Sequence, residues 1–235
     1  MIDLHSHVLP KMDDGSSCPA ESIQMLRESY RQGVEIMVAT PHFYAHRDDP
    51  ARFLERRANS FSEIEPDSEL MPELLLGAEV AYFDGLSRSE ELYDLRIGQS
   101  ELLLIEMPFF GWTKRVVEDI CSVRSRLGLT PVLAHVERYL DKNDFPRFSD
   151  TLLDAGVYFQ CNAEFFKGGF GGIRAMNMVK NDRVHFLGSD CHNMTRRPPN
   201  LGGAVERIGK KFGSQTLQEM DAFALRMLGL DDGDL

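Results

Sequence analysis

The sequence predicts an α/β fold in which seven mostly parallel strands form a distorted (β/α)7 barrel, similar to a TIM barrel, as a single domain over residues 1–235. Short apolar runs alternate with longer amphipathic segments about seven times, which is the pattern of βα units. A chain of 235 residues, 43% of them hydrophobic, can bury one large core. Most apolar runs end in a residue that can bind metal, and the strand ends of a barrel converge on one face. An open doubly wound sheet would spread these residues along an edge, so the pattern favours the barrel.

The short apolar runs are predicted strands, and the amphipathic segments between them are predicted helices. In chain order the strands are Ile2–His5, Ile36–Thr40, Leu74–Glu79, Leu102–Glu106, Pro131–Val136, Tyr158–Cys161 and Val184–Gly188. The helices are Pro19–Gln32, Pro50–Ile64, Thr113–Leu127, Pro146–Asp154 and Leu201–Lys211.

Prolines and glycines support the ends of these helices. Pro19 and Pro50 fall at helix starts, where a missing N–H has no consequence. Gly33 and Gly128 follow predicted helices, where the chain often takes a positive φ. The tail from Asn200 onward is predicted to form one or two helices that complete the domain.

The composition limits the classes of function. A formal net charge of −11 opposes general binding of nucleic acid, which depends on Lys and Arg that neutralise phosphates. The first residues contain neither the basic nor the apolar region of a secretory signal, and no apolar run reaches the roughly 20 residues of a membrane span. The four cysteines lie far apart without a CxxC pair, as ordinary cytosolic thiols do. We therefore expect a cytoplasmic protein that neither binds nucleic acid nor inserts into a membrane.

Residues of the kinds that bind metal follow nearly every predicted strand. His5 and His7 form an HxH pair whose side chains point to the same side of an extended chain, so both can bind one ion. A single His or Glu at a strand end is more often an ordinary core or loop residue, but here such residues recur at successive strand ends. His46 and His185 fall outside this pattern and are interpreted as surface or structural residues. The set comprises His5, His7, His42, Glu79, Glu106, His135, Asp190 and His192.

Six segments together resemble the PHP (polymerase and histidinol phosphatase) superfamily: DLHSHVLPKMDDG, ATPHF, GAEV, IEMP, AHVERY, and SDCHN followed by RRPP. More narrowly, they resemble its bacterial tyrosine-phosphatase branch, which is encoded with capsule and exopolysaccharide genes. The resemblance runs from Ile2 to about Pro199 in the same order and spacing. It implies the PHP barrel fold and a metal-dependent protein-tyrosine phosphatase.

The resemblance also implies three divalent metal ions, usually manganese in this branch, with Fe, Zn or Co as alternatives that suit imidazole and carboxylate ligands. Glu79 would bridge the first two ions. Asp13 is an alternative to Asp14 as a ligand, and the spacing of the family favours Asp14. The implied ligand groups are His5, His7, Glu79 and Asp190 for the first ion; Glu79, Glu106 and His135 for the second; and Asp14, His42 and His192 for the third.

Arg138 and Arg197 are the expected catalytic arginines, because planar guanidinium groups bind phosphate oxygens bidentately. Arg196 is an alternative to Arg197, and the alignment of the following prolines favours Arg197. The expected reaction is hydrolysis of a phosphomonoester by a water that the metals activate. Asp14, or a metal-bound water, is the expected proton donor to the leaving group.

The expected substrate is a phosphotyrosine protein, in this branch a bacterial tyrosine autokinase with a tyrosine-rich C-terminus. Aromatic side chains of Pro108–Trp112, Tyr139, Phe165 and Phe166 would either stack on the phosphotyrosine ring or cap the barrel core. The glycine-rich stretch Lys167–Gly172 would be a mobile lid or a tight loop. The alternatives are a histidinol-phosphate phosphatase, a nuclease or polymerase-associated domain, and a scaffold without activity.

Cys191 and Arg197 fit the C-x5-R spacing of cysteine-dependent tyrosine phosphatases. That mechanism needs a loop whose backbone N–H groups surround phosphate, usually with glycine inside the loop and a helix start after the arginine. Here the loop lacks glycine, two prolines follow it, and strand alternation would turn Cys191 away from the metals. We therefore expect Cys191 not to be the nucleophile.

Overall fold

The computed structural model describes residues 1–64, 70–109, 111–142 and 144–231, and these ranges contain nine strands and eight α-helices. The strands are β1 Ile2–Ser6, β2 Ile36–Ala39, β3 His42–Phe43, β4 Glu73–Leu76, β5 Glu79–Ala81, β6 Leu102–Glu106, β7 Thr130–Leu133, β8 Tyr158–Asn162 and β9 Phe186–Gly188. The helices are α1 Pro19–Arg31, α2 Pro50–Ser62, α3 Lys114–Cys121, α4 Val123–Leu127, α5 Asp144–Asp154, α6 Gly169–Lys180, α7 Leu201–Phe212 and α8 Ser214–Leu228.

The strands form two sheets in which every described pair is parallel. One sheet has the order β1-β2-β4, and the other has the order β3-β5-β6-β7-β8-β9. The two sheets meet where Ser6 forms a parallel bridge with Cys191 and where the Asp190 N–H donates to the His5 carbonyl at 2.8 Å. The predicted α/β class with parallel strands is confirmed.

One predicted strand is interrupted, and a short strand that was not predicted follows another. The predicted strand Leu74–Glu79 is divided at residues 77 and 78 into β4 and β5, which belong to different sheets. The short β3 follows β2 after Pro41, which has no N–H for a sheet hydrogen bond. Gly77 allows a close approach at the interruption, since a Cβ there would lie 3.0 Å from Ile97 Cγ1. Since β2 pairs with β4 and β3 pairs with β5, the segment of β2 and β3 and the segment of β4 and β5 run side by side.

Alternate residues of the strands contact two different apolar clusters, as the two-residue period of a strand requires. Leu102 and Leu104 of β6 belong to a cluster that also receives side chains from β1, β2, β7 and β9, whereas Leu103 and Ile105 belong to the larger cluster that the helices share. Strands of both sheets therefore surround one interior. Helix α8 joins this interior through Ala224, near the amino end of β1 and opposite the predicted ligands.

The helices follow the prediction with two differences. The predicted helix Thr113–Leu127 is divided at Ser122 into α3 and α4. The glycine-rich stretch Lys167–Gly172 is neither a lid nor a simple loop, because α6 starts within it at Gly169. Its glycines have low helix propensity and hid this helix from the sequence analysis. The tail forms two helices, α7 and α8. Within the described residues, no helix is long and apolar enough to cross a membrane.

Candidate metal centre

Most of the predicted ligands lie at or beyond the carboxyl ends of strands, and His42 and Glu79 begin the short strands β3 and β5, which follow β2 and β4. His5 lies in β1 and Glu106 ends β6, while His135 and Asp190 follow β7 and β9. His135 and Asp190 have positive φ values of 36° and 51°, a left-handed backbone that costs a non-glycine residue about 1–3 kcal/mol. Strained backbone of this kind concentrates at functional sites, where the surrounding fold holds it in place.

Two imidazoles and two carboxylates lie close together at the centre of the site. The Nε2 atoms of His5 and His7 lie 3.2 Å apart. Glu79 Oε2 lies 3.3 Å from His5 Nε2 and 3.4 Å from His7 Nε2. Asp190 Oδ1 lies 3.6 and 3.4 Å from the same two nitrogens. These five distances, from 3.2 to 3.6 Å, are of the length that separates two ligand atoms bound to the same divalent ion.

A second group forms around the other oxygen of Glu79. His135 Nε2 lies 2.7 Å from Glu79 Oε1 and 3.5 Å from Glu106 Oε1. Glu79 is 1% exposed, and its two carboxylate oxygens face two different groups of ligands. This is the position that a bridging carboxylate requires.

A third group lies at the rim. Asp14 Oδ1 is 3.5 Å from His192 Nε2 and 3.7 Å from His42 Nε2. His42 also contacts the carboxylate between the first two groups, since its Nδ1 lies 3.0 Å from Glu79 Oε2. Asp13 instead places Oδ2 at 2.7 Å from His7 Nδ1 and accepts from the His42 N–H at 2.9 Å. Asp14 therefore faces the imidazoles of the third group, and Asp13 orients His7.

The chemistry of these groups fits divalent cations. Within the described residues, Glu79 Oε2 and His42 Nδ1 are buried, and their 3.0 Å contact does not have the geometry of a hydrogen bond, so both atoms lack a hydrogen-bond partner. Buried polar atoms without a partner are costly, and carboxylates beside neutral imidazoles are the donors that borderline divalent metals prefer. A metal ion is the partner that would satisfy both atoms.

The carboxylates at the centre are ionised. Burial alone would raise the pKa of Glu79, but the facing rings of His5, His135 and His42 hold that pKa well below its usual value. Burial opposes ionisation of Asp190 in the same way, and His5 and His7 hold its pKa well below the usual range. Both carboxylates are thus ready to bind a cation at neutral pH.

Two buried amides of β8 orient the ligands, and the sequence analysis missed them. Gln160 Oε1 lies 3.1 Å from His5 Nδ1 and accepts from the His135 N–H at 2.7 Å. Gln160 Nε2 donates to Asn162 Oδ1 at 2.9 Å, and Asn162 Nδ2 donates to Asp190 Oδ2 at 2.7 Å. The signal was a polar residue at 160, inside the one predicted strand that ended without a ligand, and a second polar residue at 162, directly after the predicted end of that strand.

Both predicted catalytic arginines reach the centre. Arg138 Nη2 and Arg197 Nη2 lie 2.6 and 2.5 Å from the same atom, Asp190 Oδ2. Arg197 Nη1 is also 2.8 Å from His192 Nε2. Arg196 is exposed, and within the described residues its side chain has no ion pair with Asp190. The structure thus brings Arg197, and not Arg196, to the predicted ligand Asp190.

The loop from Cys191 to Arg197 does not form a phosphate cradle. Its N–H groups at Thr195, Arg196 and Arg197 donate to Asn193 Oδ1 at 3.1, 2.7 and 3.2 Å. Cys191 is fully buried, and burial raises the pKa of its thiol to about 12. A thiol in this state is a poor nucleophile.

A pocket of about 430 Å³ opens above the ligands, and its aromatic wall differs from the prediction. Phe109 lines it, but Trp112, Tyr139 and Phe166 are buried in the core. Phe165 lines a neighbouring cleft. Phe110 lies outside the described residues. The wall is instead completed by Tyr44 and Tyr82, which follow or flank β3 and β5.

An α/β fold that collects imidazoles and carboxylates at the carboxyl ends of parallel strands is the architecture of a metal-dependent hydrolase. Residues 1–223 match the model of the CpsB/CapC family of capsular polysaccharide synthesis, and the chain belongs to this family.

The relatives are named tyrosine-protein phosphatases. The chain is 33% identical over 232 residues to the tyrosine-protein phosphatase CpsB of Streptococcus pneumoniae, covering 94% of both chains. It is 30% identical over 221 residues to the tyrosine-protein phosphatase YwqE of Bacillus subtilis, covering 92% of this chain and 86% of the relative. It also matches a chain from the crystal structures of YwqE from Bacillus subtilis and CpsB from Streptococcus pneumoniae, described as unique metal-dependent tyrosine phosphatases. That match has a TM-score of 0.82 and 25% identity, covering 98% of this chain and 95% of the solved one. The resemblance inferred from the motifs is therefore confirmed.

Proposed function

We propose that this chain is a metal-dependent protein-tyrosine phosphatase that hydrolyses phosphotyrosine in a protein substrate. The observation that carries the proposal is that the carboxylates of Glu79 and Asp190 both face the imidazoles of His5 and His7, beside two arginines. The CpsB and YwqE phosphatases, which are similar over nearly the whole chain, support the same reaction.

Three divalent ions are proposed, with manganese as the native metal and Fe, Zn or Co as substitutes. When bound, such ions activate water and stabilise charge on phosphate oxygens. The residues proposed to hold them are His5, His7, Glu79 and Asp190; Glu79, Glu106 and His135; and Asp14, His42 and His192. Within the described residues, the ligand atoms that lie mutually close form overlapping groups: His5, His7 and Asp190; His42, Glu79 and Glu106; and His7, Asp14, His42 and His192.

The surrounding side chains prepare the ligands for this task. Gln160 Oε1 faces His5 Nδ1 and Asp13 Oδ2 faces His7 Nδ1, which leaves the Nε2 atom of each ring directed toward the centre. The orientation of each ring is thereby fixed by a residue outside the proposed ligand set.

Arg138 and Arg197 are the proposed phosphate-binding residues. Both guanidinium groups aim at Asp190 Oδ2 from different loops. A phosphate at the centre would take over these donors, with each arginine presenting two N–H groups to the oxygens. Their positive charges would stabilise the phosphate more strongly as negative charge develops on its oxygens during the reaction.

Asp14 is proposed to assist departure of the tyrosine oxygen. Its side chain is 67% exposed at the mouth of the pocket, where a leaving group would depart. A phenol has a pKa near 10, so tyrosinate leaves more readily than an alkoxide and needs little protonation. The walls from Tyr44, Tyr82 and Phe109 would hold the substrate ring.

The physiological substrate is proposed to be a bacterial tyrosine autokinase with a tyrosine-rich C-terminus, acting in capsule or exopolysaccharide synthesis. The matched family of capsular polysaccharide synthesis supports this setting. We further propose a cytoplasmic location, without binding of nucleic acid or insertion into a membrane.

The chain is proposed to be a single PHP-type domain over residues 1–235, with a distorted (β/α)7 barrel. Counting β2 with β3 and β4 with β5 as two interrupted strands gives the seven strands of that barrel. Helices α7 and α8 complete the domain.

The test is a comparison of substrates at fixed manganese concentration. A phosphotyrosine peptide, histidinol phosphate and single-stranded DNA would be assayed with enzyme before and after chelation. We expect kcat/KM for the phosphotyrosine peptide to exceed the others by at least about tenfold, or 1.4 kcal/mol of transition-state stabilisation. Chelation should abolish activity, and manganese should restore it. Preference for histidinol phosphate, or full activity in protein free of metal by elemental analysis, would refute the proposal.

A further inference from the structure

A second cleft adjoins the pocket above the metal ligands. It encloses about 650 Å³ and shares Asp14, His42 and Tyr44 with that pocket. Its far wall is formed by Arg47 and by Arg52 and Arg56 of α2. A polypeptide whose phosphotyrosine lies at the metal ligands would therefore have a continuous path into a wall of arginines.

Two of these arginines are not neutralised. Arg47 stacks its guanidinium 5.2 Å from the centre of the Tyr44 ring and donates from Nε to His46. Across residues 1–64, 70–109, 111–142 and 144–231, neither Arg47 nor Arg52 forms an ion pair with a carboxylate. In a protein of net charge −11, two exposed arginines without carboxylate partners at the mouth of one cleft make a local cationic surface.

The carboxylates of the cleft are already engaged. Asp48 pairs with Arg56, and Asp13 is bound to His7. Asp14 faces His42 and His192 as a proposed metal ligand. The positive charge of Arg47 and Arg52 is therefore available to an outside partner, and Arg52 lies one helical turn from Arg56 on the same face of α2.

We propose that this cleft is a substrate subsite, in which Arg47 and Arg52 bind a carboxylate side chain that flanks the phosphotyrosine in the polypeptide substrate. The proposal rests on the proposed function. A guanidinium group matches a carboxylate bidentately, and the contact lies outside the reacting atoms. It therefore selects among phosphotyrosine sequences through binding and leaves the hydrolytic step to the metal ligands.

The test uses pairs of phosphotyrosine heptapeptides that differ only by Glu or Gln at one position, from three residues before the phosphotyrosine to three after it. The readout is the ratio of kcat/KM for the Glu peptide to that for its Gln partner. The wild-type protein should favour Glu about five- to tenfold at one or more positions, through KM, and the ratio should fall as salt is raised.

The variant Arg47→Gln/Arg52→Gln should bring this ratio to within about twofold of unity at every position. The matched control is Arg31→Gln/Arg226→Gln, which also removes two positive charges, but from exposed positions of α1 and α8. This control should keep the wild-type ratio, so that a general change of net charge is separated from loss of the subsite. Circular dichroism and metal content would verify that both variants are folded and loaded.

Each outcome decides the matter. If wild-type protein hydrolyses the Gln peptides but shows no Glu preference at any position, the subsite proposal is wrong while the proposed function stands. If the preference survives in Arg47→Gln/Arg52→Gln, or is lost equally in the control, the carboxylate binds elsewhere. If no phosphotyrosine peptide is hydrolysed, the proposed function fails first.

Discussion

His5 Nδ1 lies 3.1 Å from Gln160 Oε1, although the two residues are 155 positions apart in the sequence. The same oxygen accepts from the backbone N–H of His135 at 2.7 Å. A single amide on β8 therefore orients two proposed ligands, which belong to the first and the second groups. Gly188 makes room for this contact, because a Cβ there would lie 2.6 Å from Gln160 Nε2 and 2.7 Å from His5 Cβ.

We predict that Gln160→Leu weakens metal binding by about 10- to 100-fold, because His5 loses the acceptor that fixes its tautomer. Gln160→Glu, which keeps an acceptor oxygen, should recover part of this affinity. Manganese titration of the chelated protein would measure it. Gln218→Leu on the exposed face of α8 is the control. Wild-type manganese affinity in Gln160→Leu would contradict a positioning role.

Glu79→Ala should be the most damaging change of a single ligand. The two oxygens of Glu79 face two groups of ligands, so its removal should impair two ion sites together and lower kcat/KM by about 1,000-fold or more. Elemental analysis should show fewer ions per chain than in Glu106→Ala. Glu73→Ala, at an exposed position, is the control. Retention of activity in Glu79→Ala would mean that the bridge is misassigned.

Arg138→Ala and Arg197→Ala should each lower kcat/KM for a phosphotyrosine peptide by about 100-fold while metal content stays unchanged, since they are expected to bind phosphate and not metal. Arg196→Ala should change kcat/KM by less than about twofold, because its exposed side chain does not reach Asp190. Steady-state kinetics with elemental analysis would test all three. Equal losses in Arg196→Ala and Arg197→Ala would overturn the assignment.

Cys191→Ser should keep most of its activity, and iodoacetamide should not inhibit the native protein. The thiol is fully buried with its pKa raised to about 12, and the N–H groups of its loop are bound to Asn193. Alkylation of the partly exposed Cys18 and Cys121 should occur without loss of activity. A stoichiometric phosphocysteine trapped by rapid quench would show instead that Cys191 is the nucleophile.

His185 should make the folded state sensitive to acid. Burial lowers the pKa of His185 to about 4, against 6.5 when unfolded. Between these values the unfolded chain binds the extra proton, so this contribution to stability is present above pH 6.5 and is lost as pH falls toward 4. His185→Asn keeps an acceptor for the Phe159 N–H, which His185 Nδ1 accepts at 3.1 Å.

Urea unfolding of the chelated protein at pH 7 and pH 5 would measure this effect. On lowering the pH, the wild type should lose about 1–2 kcal/mol more stability than His185→Asn. The same exchange at His46, which is exposed, should leave the pH dependence unchanged. Identical pH dependence in the wild type and His185→Asn would contradict the prediction.

The fold class and the positions of most candidate ligands could be predicted from local sequence patterns. Strand–helix alternation predicted the parallel α/β fold, because the period of apolar residues is set locally. The positions of His5, His42, His135 and Asp190 at successive strand ends predicted that they meet, because parallel strands bring their carboxyl ends to one side. Strand alternation also predicted that Cys191 points away from the ligands, and the residue is fully buried.

Other features needed the tertiary structure, because they depend on contacts between distant segments. The roles of Gln160 and Asn162 could not be predicted, since no sequence spacing marks an amide as a positioning residue. Their roles depend on contacts with His5 and Asp190, which are distant in the sequence. The division of the strand at residues 77 and 78 depends on how two sheets meet. The wall around the pocket, in which Tyr44 and Tyr82 replace the core-buried Trp112 and Tyr139, was likewise decided by packing.

The sequence by itself thus determined which residue types stand at the ends of which strands, since side-chain period and strand polarity are properties of the local chain. Only the tertiary structure decided which of Asp13 and Asp14 faces the imidazoles of the rim and which of Arg196 and Arg197 reaches Asp190. The directions of two adjacent side chains in a loop depend on the local φ and ψ angles, and long-range packing fixes those angles.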